Sequence, residues 1–375
     1  MKRYAAFDPP EYVAWKRDDR TIADFVETTK RDPERRAIIE ALSRDQLLEL
    51  YRGLARTRLI DIGLKRFVRQ GVISKAWLGT GEEATTVGPV HALRRPAQGI
   101  PVAEADIAAP MIRNSGACNE MGMPIADIFR SYMATGDAPT RGRDGHYGDM
   151  EYGVIPPISH VGDMVPIVTG IALSFKMRTA APYRIALTWI GDGSAKTGTA
   201  HEGMNFAAVQ RIPAIFIIQN NQVALGTRLD QHHVAANNGK FADWPKAYGI
   251  WGMVFDGNNV LDAYATTALA VQRCRSGEGP AMLIAETFRM GGHATHDEAE
   301  ARRTFAAELF TEWGRRDPVA MYEEYLVDRK VATRDALAEE EARIEAAVER
   351  ASEDALESRQ HRMPAPESAM LDVYA

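Results

Sequence analysis

The sequence predicts an α/β fold built on a mostly parallel, doubly wound sheet, and three observations carry that expectation. Residues 183–190 (YRIALTWI) and 214–218 (AIFII) are apolar, β-branched and aromatic runs of strand length. Between them, Thr197 to Val209 has helix length, alanine and methionine content, and no internal proline. A strand–helix–strand unit of this kind makes its two strands parallel. From about residue 80 to 320, helical and strand signals go on alternating, as a parallel sheet covered by helices requires.

Taken in order, residues 1–42 are polar, carry Pro9, Pro10 and Pro33, and read as an extended arm. Ser43 with Gln46 forms a capping-box pattern, and Leu47, Leu50, Leu54, Leu59 and Phe67 follow at helical spacing until Gly71. Pro166 to Met177 reads as an apolar helix with proline in its first turn. Met282 to Phe288 reads as a buried strand. After Asp317 and Pro318, the stretch to about Ser358 is rich in Ala, Glu and Arg without glycine and reads as helical. The chain thus divides into the arm (1–42), a sheet domain (43–325), and a C-terminal helix and tail (326–375).

Composition excludes several function classes. The chain has 375 residues, 45% hydrophobic and 26% charged, ordinary for a soluble globular protein. A formal net charge of −6 gives no reason to expect nucleic acid or an anionic membrane as partner. Cys118 and Cys274 are too few for a disulfide framework, and neither has metal-ligand spacing. The first residues carry acidic groups and no apolar core of a signal, and no apolar run reaches membrane-spanning length. A cytoplasmic location is expected.

The stretch Gly191 to Asn221 carries the chemistry. It reads GDG, then 26 residues (194–219), then the pair Asn220 and Asn221. Each motif follows a strand, so both lie on the carboxyl edge of the sheet, where open α/β folds bind ligands. Asp192 and the Asn amides offer hard oxygen donors of the kind that hold Mg²⁺ beside phosphate oxygens. Gly193 and Ser194 open onto a helix whose free N–H groups favour a phosphate. The blander reading makes Asp192 a helix N-cap and the Asn pair turn formers.

Six blocks then resemble one family in its order: GTGEEATTVG (79–88), TRGRDGHYG (140–148), ISHVGDMVP (158–166), the GDG…NN stretch, TFRMGGHATHDEAEARR (287–303) and the terminal DVYA. The chain resembles the alpha subunit of the thiamine-diphosphate-dependent first component of 2-oxo acid dehydrogenase complexes, and the branched-chain members look nearest. The resemblance implies a thiamine-diphosphate-binding fold, its diphosphate half lying in residues 43–325. It implies oxidative decarboxylation of a 2-oxo acid, with acyl transfer to a lipoyl group on a separate acyltransferase.

It also implies roles. Asp192, Asn221 and the backbone carbonyl of Val223 match Mg²⁺ ligands, and Gly193 and Ser194 match the backbone facing the diphosphate. Arg113 matches the arginine that pairs with the diphosphate. Leu225 matches the apolar wedge that bends the cofactor, and Val161 the residue whose backbone meets the aminopyrimidine. His293 matches the loop histidine between the diphosphate and the reacting centre. His146 and His296 are weaker candidates, and His160, His201, His232 and His233 weaker still. In the family, the carboxylate beside the pyrimidine comes from a separate beta subunit. The expectation is therefore an α₂β₂ assembly, with this subunit inactive alone.

Four positions depart from the family pattern. Lys75 stands where an aromatic residue is usual, and Ile112 stands for a tyrosine. Gln219 replaces an arginine of branched-chain relatives, so one phosphate contact is expected to be missing. Ala294 follows the loop histidine where a serine is usual, which removes the hydroxyl that phosphorylation needs. Two alternatives stay open on these residues: an acetoin- or other ketone-cleaving thiamine-diphosphate enzyme of the same architecture, and a non-catalytic subunit that binds a partner.

Overall fold

The computed structural model describes residues 1–233 and 241–371; the terminal DVYA block (372–375) lies outside them. Its frame is a five-stranded sheet of β1 (Ile107–Ala109), β2 (Ala186–Gly191), β3 (Ala214–Asn220), β6 (Trp251–Asp256) and β7 (Ala281–Glu286). The spatial order is β1-β2-β3-β7-β6, and each adjacent pair is parallel. β4 (Val223–Ala224) and β5 (Thr227–Arg228) form a small antiparallel ribbon just beyond β3.

The central strands read as unbroken apolar runs because both faces are covered. Leu187, Trp189, Ile215 and Ile217 join one core with Ala55 and Leu59 of the helix Arg44–Arg69 and Ala263 and Ala270 of the helix Val260–Ser276. Ala186, Ile190, Phe216 and Ile218 point the other way, into a core with the helices Met164–Arg178 and Gly198–Val209. Each of the larger of these side chains (Leu, Ile, Phe), fully withdrawn from water, contributes roughly 1.5–3 kcal/mol. The register pairs Gly191 with Gln219, so the GDG turn and the Asn pair leave the sheet side by side.

Several expected elements appear with shifted ends. The first strand begins at Ala186 rather than Tyr183, whose amide bonds instead to the Arg275 carbonyl at 2.9 Å. The Ser43–Gln46 capping box is present and opens the helix Arg44–Arg69. The helical stretch after Pro318 is two helices, Pro318–Asp328 and Arg334–His361. Lys330 at φ 56° turns the chain between them, and a division at residue 326 would cut the first.

The extended arm is corrected. Residues 1–42 carry the helices Pro10–Val13, Asp19–Thr28 and Pro33–Glu40, and they bury Tyr12, Ile22, Phe25 and Ile39. Pro10 and Pro33 occupy first-turn positions, where the missing N–H costs nothing and the fixed φ favours a helix. Asp18 and Asp32 cap the second and third helices. No helix among the described residues is long and apolar enough to cross a membrane.

Candidate functional site

At the end of β2, Asp192 is 2% exposed. Its Oδ1 accepts from the Gly193 amide at 2.9 Å, while Oδ2 is buried with no hydrogen-bond partner. Burial pushes this carboxyl up to about 6, against the lowering effect of the Gly193 amide. The helix Gly198–Val209 is capped by Thr197, not by Asp192, so the N-cap reading fails. The same feature corrects the expected geometry: a single 3₁₀ turn, Ser194–Lys196, follows Gly193, and the helix proper starts later.

Beyond β3, Asn221 Nδ2 donates to Glu82 Oε1 at 2.9 Å. Its Oδ1 receives only a long 3.4 Å bond from the Val223 amide. The Oδ1 of Asn220 is buried without a partner. Gln219 lies fully buried, donating to Glu82 and accepting from Asn114 at 3.2 Å. Here it is an internal tie, not an open phosphate contact. Glu82 also faces the Arg113 guanidinium at 3.5 Å. Glu82 was missed as a site residue, although it sits in the GTGEEATTVG block that the sequence displays plainly.

Leu225 adopts φ 56°, a region a branched side chain occupies only under constraint. Its carbonyl accepts from Arg289 Nη2 at 2.7 Å, while its side chain stands 62% exposed. Arg289 is a second missed residue. Burial, and then neighbouring Arg113, push its guanidinium down to about 10. It belongs to the same TFRMGGHATHD block as His293.

Arg113 is buried and is not a surface arginine. Its Nη2 lies 3.2 Å from His293 Nδ1, and its Nη1 donates to the Leu78 carbonyl at 3.1 Å. Burial, Arg113 and Arg289 push the His293 imidazole down to about 4, so it is neutral near pH 7. An arginine can only donate, so Nδ1 accepts and the ring proton resides on Nε2.

Arg113, Val161, Ser194 and His293 line one cavity of about 240 Å³. Trp77, Met111, Ile112, Ile158, Met164 and Ile190 supply much of the rest of its wall, which holds no Asp or Glu among the described residues. His146 and His160 also line it. Lys75 is solvent-exposed, 5.0 Å above the Trp77 ring. His232 Nε2 stands 3.8 Å from Asp192 Oδ2. His201 packs between Tyr248 and Trp244, His233 stacks on Phe241, and His296 pairs with Asp297.

No group of three His, Cys, Asp or Glu side chains able to hold a metal occurs among the described residues. The set expected here has one carboxylate, one amide and one backbone carbonyl. Asp192 Oδ2, which accepts no hydrogen bond, and the weakly engaged Asn221 Oδ1 fit a hard divalent cation that keeps its other ligands from phosphate.

A family model described as "Dehydrogenase E1 component" matches residues 51–364. Over 337 residues the chain is 30% identical to the 2-oxoisovalerate dehydrogenase subunit alpha of Bacillus subtilis (strain 168), covering 89% of this chain and 97% of that one. It is 30% identical over 297 residues to the pyruvate dehydrogenase E1 component subunit alpha of Bacillus cereus, covering 78% and 73%. It is 29% identical over 291 residues to the 3-methyl-2-oxobutanoate dehydrogenase subunit alpha of Mycobacterium tuberculosis (strain ATCC 25618 / H37Rv), covering 77% and 72%. The family match spans every residue of the candidate site, and with that the chain belongs to the dehydrogenase E1 component family.

Proposed function

We propose that this chain is the alpha subunit of a thiamine-diphosphate- and Mg²⁺-dependent 2-oxo acid dehydrogenase, with branched-chain 2-oxo acids favoured over pyruvate as substrates. One observation carries the reading. Asp192, whose buried Oδ2 accepts no hydrogen bond, follows β2 on the same edge of the parallel sheet that Arg113 reaches after β1 and His293 after β7. The apolar wall of Trp77, Met111, Ile112 and Ile158 supports an apolar substrate side chain. The proposal includes a doubly wound thiamine-diphosphate-binding fold over residues 43–325.

Bound there, thiamine diphosphate would supply the electron sink for decarboxylation. This chain's residues would do the rest. Asp192, Asn221 and the Val223 carbonyl would hold Mg²⁺. The Gly193 and Ser194 backbone and the Arg113 fork would bind the diphosphate. Leu225 would set the bend of the cofactor, and the Val161 backbone would orient its aminopyrimidine. His293 would offer the Nε2 proton at the reacting centre.

Among the described residues the cavity wall has no carboxylate, and Val161 and Leu225 are each 62% exposed. Both features support a second chain completing the site: a beta subunit in an α₂β₂ assembly, with a lipoyl-bearing acyltransferase as acyl acceptor. The test is co-expression with a candidate beta subunit, then decarboxylation assays with branched-chain 2-oxo acids, pyruvate, 2-oxoglutarate and acetoin. Branched-chain turnover by the complex, with none by this chain alone, is the expected result. Turnover of acetoin alone would move the assignment to a ketone-cleaving enzyme, and failure to bind cofactor would leave a non-catalytic subunit.

A further inference from the structure

The His293 loop is tied at a few points to the body of the chain: His293 meets Arg113 at 3.2 Å, and Arg289 Nε donates to the Gly291 carbonyl at 3.2 Å. It opens with Gly291 and Gly292, and a Cβ at Gly291 would meet nothing within 4 Å. Thr295 exchanges hydrogen bonds with the Ala76 backbone, its amide donating at 2.9 Å and its hydroxyl accepting at 3.2 Å. A glycine-led segment loses much conformational freedom on ordering, so other contacts must offset that cost.

Further contacts come from the other end of the chain. The short helix Glu298–Thr304 follows the loop directly. On it, Arg302 donates from both Nη atoms to the two Glu11 carboxylate oxygens, at 2.6 and 2.9 Å. The same guanidinium lies 4.1 Å from the Phe310 ring centroid. Burial acts to raise the Glu11 carboxyl, but the Arg302 bonds, Glu11's own amide and the Arg302 charge together outweigh it and hold the group below its usual range. Lys65 makes a second tie, pairing with Glu298 while donating to the Phe7 carbonyl at 2.9 Å.

The N-terminal segment that brings Glu11 is itself anchored along its length. The Lys2 amide donates to Glu341 at 2.9 Å, and Arg3 pairs with Asp317. Tyr12 is fully buried against Phe288, Met290 and Phe310, at the base of the loop. Arg17 pairs with Glu324 at 2.7 Å and Asp328 at 2.8 Å. The anchoring residues of this segment, from Lys2 to Arg17, precede the span matched by the family model, which begins at residue 51.

We propose that Glu11 is a positioning residue, and that residues 1–17 form a strap which, through Arg302 and Lys65, holds the His293 loop in its site-forming position. The inference rests on the cofactor reading only for the loop's role, not for the strap itself.

Hydrogen exchange over residues 291–304 tests it, on the full chain with its partner subunit. Glu11→Gln should speed exchange in that window by about tenfold while leaving the central strands unchanged. Lys65→Met should act in the same direction. The double swap Glu11→Arg with Arg302→Glu should restore protection. Titration of the Glu11→Gln complex with Mg²⁺ and thiamine diphosphate should show about threefold to tenfold weaker binding at an unshifted melting temperature. Unchanged loop exchange in both single variants, or an equal rise across the whole chain, would overturn the strap. A loosened loop in a complex whose wild type binds no cofactor would uphold the strap and reject the cofactor reading instead.

Discussion

Arg113 and His293 stand 180 positions apart in sequence, yet Nη2 of one lies 3.2 Å from Nδ1 of the other. The contact fixes a tautomer. An always-protonated guanidinium beside Nδ1 leaves the imidazole proton on Nε2. His293→Ala should therefore lower kcat of the assembled complex by about a hundredfold, the usual worth of a positioned acid or base. The melting temperature should hardly move, since the ring lines a cavity and not the core. Steady-state kinetics with calorimetry checks both, and wild-type kcat would remove His293 from the mechanism.

Asp192→Ala removes the one carboxylate of the proposed metal set. Binding of Mg²⁺ with thiamine diphosphate to the reconstituted complex should weaken by about a hundredfold or more. Calorimetric titration measures this directly. Wild-type affinity in the variant would end the site assignment.

Gly193 permits a close approach that no other residue can. A Cβ there would meet the Ala224 Cβ at 2.4 Å. Gly193→Ala should push the Asn221–Leu225 loop away from the GDG turn, at a cost of roughly 1–3 kcal/mol. Urea unfolding gives the stability loss, and a cofactor titration in the same variant should show weakened binding. Stability and binding both equal to wild type would show that the two loops are not in contact.

A fourth prediction concerns pH. Asp61 is fully buried, accepting from the Gly79 amide at 2.8 Å and the Ser115 hydroxyl at 2.9 Å. Burial, with Glu83 adding to it, pushes its carboxyl from 3.8 up to about 7. A carboxyl raised on folding contributes stability that is complete below its unfolded value and is lost as pH climbs through the folded one. Asp61→Asn cannot ionise, so relative to wild type it should gain on the order of 2–4 kcal/mol between about pH 4 and pH 7.5. Denaturant curves at both pH values decide it; parallel pH profiles for the two proteins would refute the assignment.

Much of the scaffold was legible in the chain because its signals are local. The apolar run ending at Gly191, the helix to Val209 and the run ending before Asn221 follow one another directly, and a short crossover leaves parallel pairing as their outcome. Ser43 and Gln46 announced a helix start through bonds between residues three apart. Pro10 and Pro33 misled for a related reason: proline marks both a break and a helix start, and only packing separates the two.

By itself, then, the sequence determined the parallel frame, the family, and the residues on the sheet edge after β2 and β3. Only the tertiary structure decided that Gln219 is spent on Glu82, that Leu225 is held in a left-handed conformation by Arg289, and that Glu11 reaches Arg302. The division is physical. Strand and helix formation answer to neighbours within a few residues, whereas a buried polar group takes whichever partner the packed chain brings within hydrogen-bond reach.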